Sequence, residues 1–181
     1  DGLGSSPVMP DRDGRPRRVV RALGVDPGLV ETGYGALEAG SGRVTVLGAG
    51  VIRTRTSDPL DARLERLFDE THRLLQEYRP DLVVVEEVFS VVKVPRTAIL
   101  MGHARGVICL AARQQKVPLL PITPAEVKRA LTASGAAGKG QMERAVQARL
   151  GLPRLPRPSH VADALGLALT GLSRVGARPW P

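Results

Sequence analysis

Cysteine is almost absent from this chain: 181 residues contain one, Cys109. A single thiol excludes an intrachain disulfide and fits a reducing, cytoplasmic setting, and its place in an apolar helical stretch reads as a buried structural thiol. Long hydrophobic runs are missing as well. No apolar segment reaches bilayer length and no signal peptide with an apolar core precedes Val19, so neither membrane insertion nor secretion is expected. Negative charge is scarce in one half only. Residues 88–181 hold 3 acidic side chains against 14 basic ones, whereas residues 1–87 hold 15 acidic and 12 basic. The net charge of +8 is therefore concentrated in the second half. Solubility does not require such segregation, and a cationic half on a folded domain points to a polyanion, most often nucleic acid.

With 43% apolar and 24% charged residues, the composition is that of one globular domain, expected over residues 19–175. Residues 1–18 are Gly, Pro, Ser and charge without periodicity, and read as a disordered tail or as a remnant ahead of a natural start at Met9. Residues 176–181 read as a short C-terminal tail.

The chain is organised around RALGVDPGLVETGY at 21–34. Two apolar runs bracket Asp26-Pro27-Gly28, which reads as a hairpin with Asp26 at the tip of the first strand. A carboxylate there suits a hard cation or phosphate, although starting a turn is work enough for an Asp-Pro-Gly aspartate. Arg43 to Thr54 is a third strand of an antiparallel meander. Asp58-Pro59 then opens a helix, with Asp58 as N-cap, that runs to Arg79-Pro80. Leu82 to Glu86 is an uninterrupted apolar run, as in a central strand covered on both faces, and it ends in Glu86-Glu87. Spacing does not choose between these two acids, and both could simply reach water.

Further on, Thr97 to Gln115 is helical in pattern and Val117 to Ile122 is a fifth strand. Thr123-Pro124-Ala125-Glu126 forms a capping box, which gives Glu126 a structural task. Ser134 to Gly140 reads as a loop, Met142 to Leu150 as a helix, and Pro153 to Pro158 as a linker. A last helix runs from Ser159, its expected N-cap, to about Val175, burying Val161, Leu165, Leu169 and Leu172. His160 and Asp163 share a face offset from that stripe; surface exposure and a favourable helix N-terminus are the plainer accounts of them.

The order of elements predicts an α/β fold: a mixed five-stranded sheet, meander plus βαβ crossovers, with helices on both faces. The ends of the first and fourth strands can then be neighbours, with the last helix across them, so that Asp26, Glu86, His160 and Asp163 meet. Carboxylates so crowded call for a cation, Mg2+ or Mn2+, and two ions about 3.5–4 Å apart would serve an in-line phosphodiester displacement.

On these residues the chain resembles the RuvC family of bacterial Holliday junction resolvases, within the ribonuclease H-like superfamily. The resemblance covers roughly residues 19–175: LGVDPG…TGYG at 23–35, RPDLVVVEEVF at 79–89, MGHARGV at 101–107, PAEVKRALTASGAAGKGQ at 124–141 and SHVADALGLALT at 159–170. It implies metal binding by Asp26, Glu86 rather than Glu87, and Asp163, with His160 where many relatives carry a fourth carboxylate. It further implies base stacking by Phe89, DNA contacts by Lys128 and Lys139, and a homodimer to which helix 97–115 contributes. The partners it implies are a four-way DNA junction and the RuvA–RuvB branch-migration complex. Three rivals stand beside it. An actin- or sugar-kinase-like ATPase needs a second nucleotide-binding half, for which 181 residues leave no room. A ribonuclease H-like RNA-processing nuclease would not call for Phe89 and the lysines. A non-catalytic junction-binding module would not call for the carboxylates. His72, His103, Trp180, Gly102 and Gly106 carry no specific signal.

Overall fold

Strand alternation sorts the side chains of this protein into two cores. In the computed structural model, which describes residues 19–87 and 95–177, β1 (Val20–Asp26), β2 (Glu31–Gly40), β3 (Arg43–Arg53), β4 (Leu82–Glu86) and β5 (Leu119–Ile122) form one sheet in the order β3-β2-β1-β4-β5. The meander β1-β2-β3 is antiparallel, and β4 and β5 add in parallel. The fold is thus the mixed five-stranded sheet expected, with helices on both faces.

On one face, Leu23 and Val25 of β1 and Val83 and Val85 of β4 pack with α1 (Leu60–Tyr78) and α2 (Pro95–Gln114). On the other, Ala22, Leu37, Leu82, Val84 and Ile122 pack with α5 (Ser159–Arg174), backed by α3 (Pro124–Thr132) and α4 (Lys139–Leu150). A strand with apolar residues on both sides has no wet face, which is why LVVV at 82–85 lacks alternation.

Helix α5 is buried all round rather than along one stripe. From Val161 to Leu172 every residue except Asp163 is buried, the pattern of a helix enclosed on all sides. It comes this close because β1 and β2 present glycines to it. A Cβ on Gly24 would collide with the Ala164 carbonyl oxygen and lie 2.7 Å from the Ala168 nitrogen, and one on Gly33 would strike the His160 carbonyl.

Several local expectations need correction. The N-cap of α1 is Pro59, with no side-chain cap, so Asp58 lies one residue too early to reach the first-turn amides. Likewise Pro158 caps α5, and Ser159 is its first helical residue. Thr123 does accept from the Glu126 amide, but the Glu126 carboxylate pairs with Arg174 (3.5 Å), so only one arm of the box is present. Helix α4 starts at Lys139, three residues before the expected Met142, because the Gln141 side chain accepts from Gly138 N–H (2.8 Å) and secures an earlier first turn. Val117 is tied back to Ala112 across the left-handed Lys116, which shortens β5. The expected N-terminal tail, 1–18, and residues 178–181 of the expected C-terminal tail, 176–181, lie outside the described residues.

Candidate metal centre

The same alternation aims the candidate carboxylates. Ala22 and Gly24 face α5, so Asp26, two residues beyond Gly24, faces it too; Leu82 and Val84 face α5, so Glu86 does. The parallel register pairs Val25 with Val85, which sets Asp26 and Glu86 side by side where the two strands end. Glu87, with its amide bonded to Ile122, falls on the opposite parity and outside the pocket that Glu86 lines. The hairpin behind Asp26 is held by buried Thr32, whose hydroxyl donates to the Gly28 carbonyl (2.6 Å) and accepts from the Gly28 amide (3.2 Å).

The first turn of α5 crosses these strand ends. His160 Nδ1 lies 2.7 Å from Asp26 Oδ2, a contact between residues 134 apart in sequence. One donor atom each from Asp26, His160 and Asp163 lie within 4.8 Å of one another. Glu86 does not join that trio at this distance. It lines the adjoining cavity of about 320 Å³ with Lys128, Lys139 and Asp163. The Lys139 Nζ stands 3.9 Å from Asp163 Oδ2. The outer nitrogen of His160, Nε2, lies 4.0 Å from Glu31 Oε2.

Electrostatics show how crowded these carboxylates are. Burial pushes the Glu86 carboxyl up to about 7, and the neighbouring Asp26 and Asp163 add to the rise while Lys128 opposes it. Burial likewise raises Asp26, against the hydrogen bond and charge of His160. Asp163 is raised by burial first and by Asp26 second, with Lys139 opposing. Three desolvated acids held this way favour a cation among them. Their oxygens with one imidazole nitrogen suit a hard or borderline ion such as Mg2+ or Mn2+.

A family model described as crossover junction endodeoxyribonuclease RuvC matches residues 22–171. The chain belongs to the RuvC family. A RuvC from Rhodopirellula baltica is 43% identical over 157 residues, spanning 87% of this chain and 88% of its own. One from Desulforamulus reducens is 41% identical over 81% of this chain and 90% of its own. The solved structure of T. thermophilus RuvC in complex with Holliday junction substrate matches with a TM-score of 0.81 at 34% identity, covering 87% of this chain and 97% of that one. The yeast mitochondrial resolvase Ydc2, at 15% identity and a TM-score of 0.59, shares the fold. RuvC proteins are enzymes, endodeoxyribonucleases by name, and neither the RNA-processing nor the non-catalytic alternative is favoured.

Of the residues singled out from sequence, Asp26, His160 and Asp163 converge, Glu86, Lys128 and Lys139 border the adjoining pocket, and Phe89 lies outside the described residues. Two further carboxylates lie near the site. Glu31 approaches His160, and Glu143, buried in α4, pairs with Arg157 of the linker at 3.1 Å. Glu31 had a legible signal, since it stands two residues before Gly33 on the same face of β2. Glu143 had none, because α4 shows no clear amphipathic pattern.

Proposed function

We propose that this chain is a structure-specific endonuclease that resolves four-way DNA junctions by metal-dependent phosphodiester hydrolysis, in recombination and repair. The observation that carries this reading is the meeting of Asp26, His160 and Asp163 at the ends of β1 and β4, beside a pocket bearing two lysines. Asp26, Glu86 and Asp163 are the residues to hold Mg2+ or Mn2+, two ions per site, with His160 where a fourth carboxylate would otherwise stand. Metal bound there would make water a nucleophile at neutral pH and neutralise charge at the phosphate.

The chain's own groups do the rest. Lys128 and Lys139 draw a phosphate to the pocket rim and oppose the repulsion that its charge meets from three acids. The N-terminus of α5, pointing into the same corner, adds partial positive charge. Phe89, three residues after Glu86 in sequence, is the residue to stack on a base near the cut, as the resemblance implies.

Symmetric cuts across a junction need two sites related by a two-fold axis, and a homodimer supplies them. The outer face of α2 suits that role: Ile99 and Leu110 are 59% and 51% exposed, and a Cβ added at Gly102 or Gly106 would meet nothing within 4 Å. Among the described residues no helix is long and apolar enough to cross a membrane, and we place the enzyme in the cytoplasm beside RuvA–RuvB.

The test is incubation with a synthetic four-way junction and a matched linear duplex, with and without divalent metal, for the parent and Asp26→Asn. The variant keeps its size but removes one charge from the site. Cleavage should fall at least about 10²-fold, a loss of roughly 2.7 kcal/mol of transition-state stabilisation, while junction binding persists or tightens. Parental cutting by Asp26→Asn in both Mg2+ and Mn2+ would overturn the reading.

A further inference from the structure

His160 stands between two carboxylates, one on each side of its ring. Nδ1 faces Asp26 Oδ2 at 2.7 Å, and Nε2 faces Glu31 Oε2 at 4.0 Å. Glu31 opens β2, and alternation puts it on the face of Gly33, the residue whose missing Cβ lets the His160 backbone lie against the strand. Its other oxygen, Oε1, accepts from Arg53 Nε at 2.9 Å across the β2–β3 pair, in which Glu31 and Arg53 are registered partners. Glu31 is therefore held from the β3 side with Oε2 turned to the outer nitrogen of His160.

We propose that Glu31 is a positioning residue for His160: it holds the imidazole proton on Nε2, so that Nδ1 offers its lone pair to a divalent cation shared with Asp26 and Asp163. This rests on the metal-site reading given above. A neutral imidazole carries one N–H and one lone pair, and only the lone pair can ligate. An Asp26 carboxylate 2.7 Å from Nδ1 can accept a proton carried there, and that tautomer cannot bind a cation through Nδ1. Glu31 is the carboxylate that faces Nε2, and its charge at 4.0 Å favours the opposite tautomer. Carboxylates behind metal-binding histidines act in this way, and losing one typically weakens metal binding by about 10- to 100-fold. Because Glu31 sits at 4.0 Å, with both side chains partly exposed, the effect belongs at the lower end, about tenfold.

The experiment is calorimetric titration of Mn2+ into metal-stripped protein, with 15N NMR of the imidazoles in the same metal-free samples. The chain has three histidines, so His160→Ala assigns the signal. Glu31→Ala should weaken Mn2+ binding about tenfold and shift the His160 proton population toward Nδ1. Glu31→Gln keeps an acceptor oxygen at Nε2 and should stay within about threefold of the parent. In a His160→Ala background, Glu31→Ala should add no further loss. Unchanged Mn2+ affinity in Glu31→Ala, or the same loss with His160 already removed, would overturn the proposal while leaving the metal site standing. A parent that binds no Mn2+ would overturn both.

Discussion

Replacing Glu86 by glutamine should flatten the pH dependence of stability of the metal-free protein. The folded Glu86 carboxyl is pushed up to about 7 from an ordinary value of 4.5, first by burial and then by Asp26 and Asp163. Between those two values the folded chain keeps a proton that the unfolded chain has released. Stability therefore falls as pH rises through this window, and the loss is complete above about 7. A tenfold change in proton equilibrium is worth about 1.4 kcal/mol, so the full difference would be about 3 kcal/mol. Because the group is only partly buried, solvent screening brings the expected loss down to about 1–2 kcal/mol. Asp26 and Asp163 are raised as well, so they act with the same sign, starting from 3.8. Thermal melts in EDTA from pH 4.5 to 8 are the assay. Between those limits the parent should lose about 1–2 kcal/mol more than Glu86→Gln, a relative difference of about 3–6 °C in Tm for a chain of this size. Millimolar Mg2+ at pH 8 should restore the parent more than the variant, since a cation held by the folded site alone adds stability. Parallel pH profiles for the two proteins would refute the crowding of charge inferred here.

Three further outcomes follow from the same geometry. Gly24→Ala would drive a methyl into the Ala164 carbonyl, and urea denaturation should show a loss of about 3 kcal/mol or more; a change under about 0.5 kcal/mol would mean that α5 is free to shift. Lys128→Ala and Lys139→Ala should each reduce the log–log salt slope of junction binding by about one if each meets one phosphate, and an unchanged slope with unchanged cleavage removes them from the site. Light scattering at micromolar concentration should give a dimer mass, and a charge placed at Gly106 on the open face of α2 should reduce it to that of a monomer.

Much of the fold was legible because its signals are local. Asp-Pro-Gly between two apolar runs marks a hairpin, and LVVV marks a strand without a wet face. Glu126 shows the limit of such signals: the Thr123 cap is real, yet the glutamate turned to Arg174, a partner 48 residues away in sequence. The starts of α1 and α5 differ from the sequence pattern for a similar reason. Asp58 and Ser159 are good capping residues by type, but where a helix begins was set by how the preceding proline and the packed helix body meet.

The sequence by itself determined that Asp26 ends a strand, that Glu86 or Glu87 ends another, that His160 and Asp163 share a helical face, and that the cationic half begins after Glu87. Each depends on a turn, a period of two or a period of 3.6, which neighbouring residues specify among themselves. Only the tertiary structure decided that Glu86 and not Glu87 faces α5, since that depends on which side of the sheet the helix takes. It also decided that Asp26 and Glu86 end side by side, through parallel pairing of strands some 60 residues apart, and that His160 stands between Asp26 and Glu31. Gly24, Gly33 and Gly35 lie within β1 and β2. They became intelligible as the surface on which α5 rests, because a missing Cβ has meaning only once the atoms that would strike it are in place.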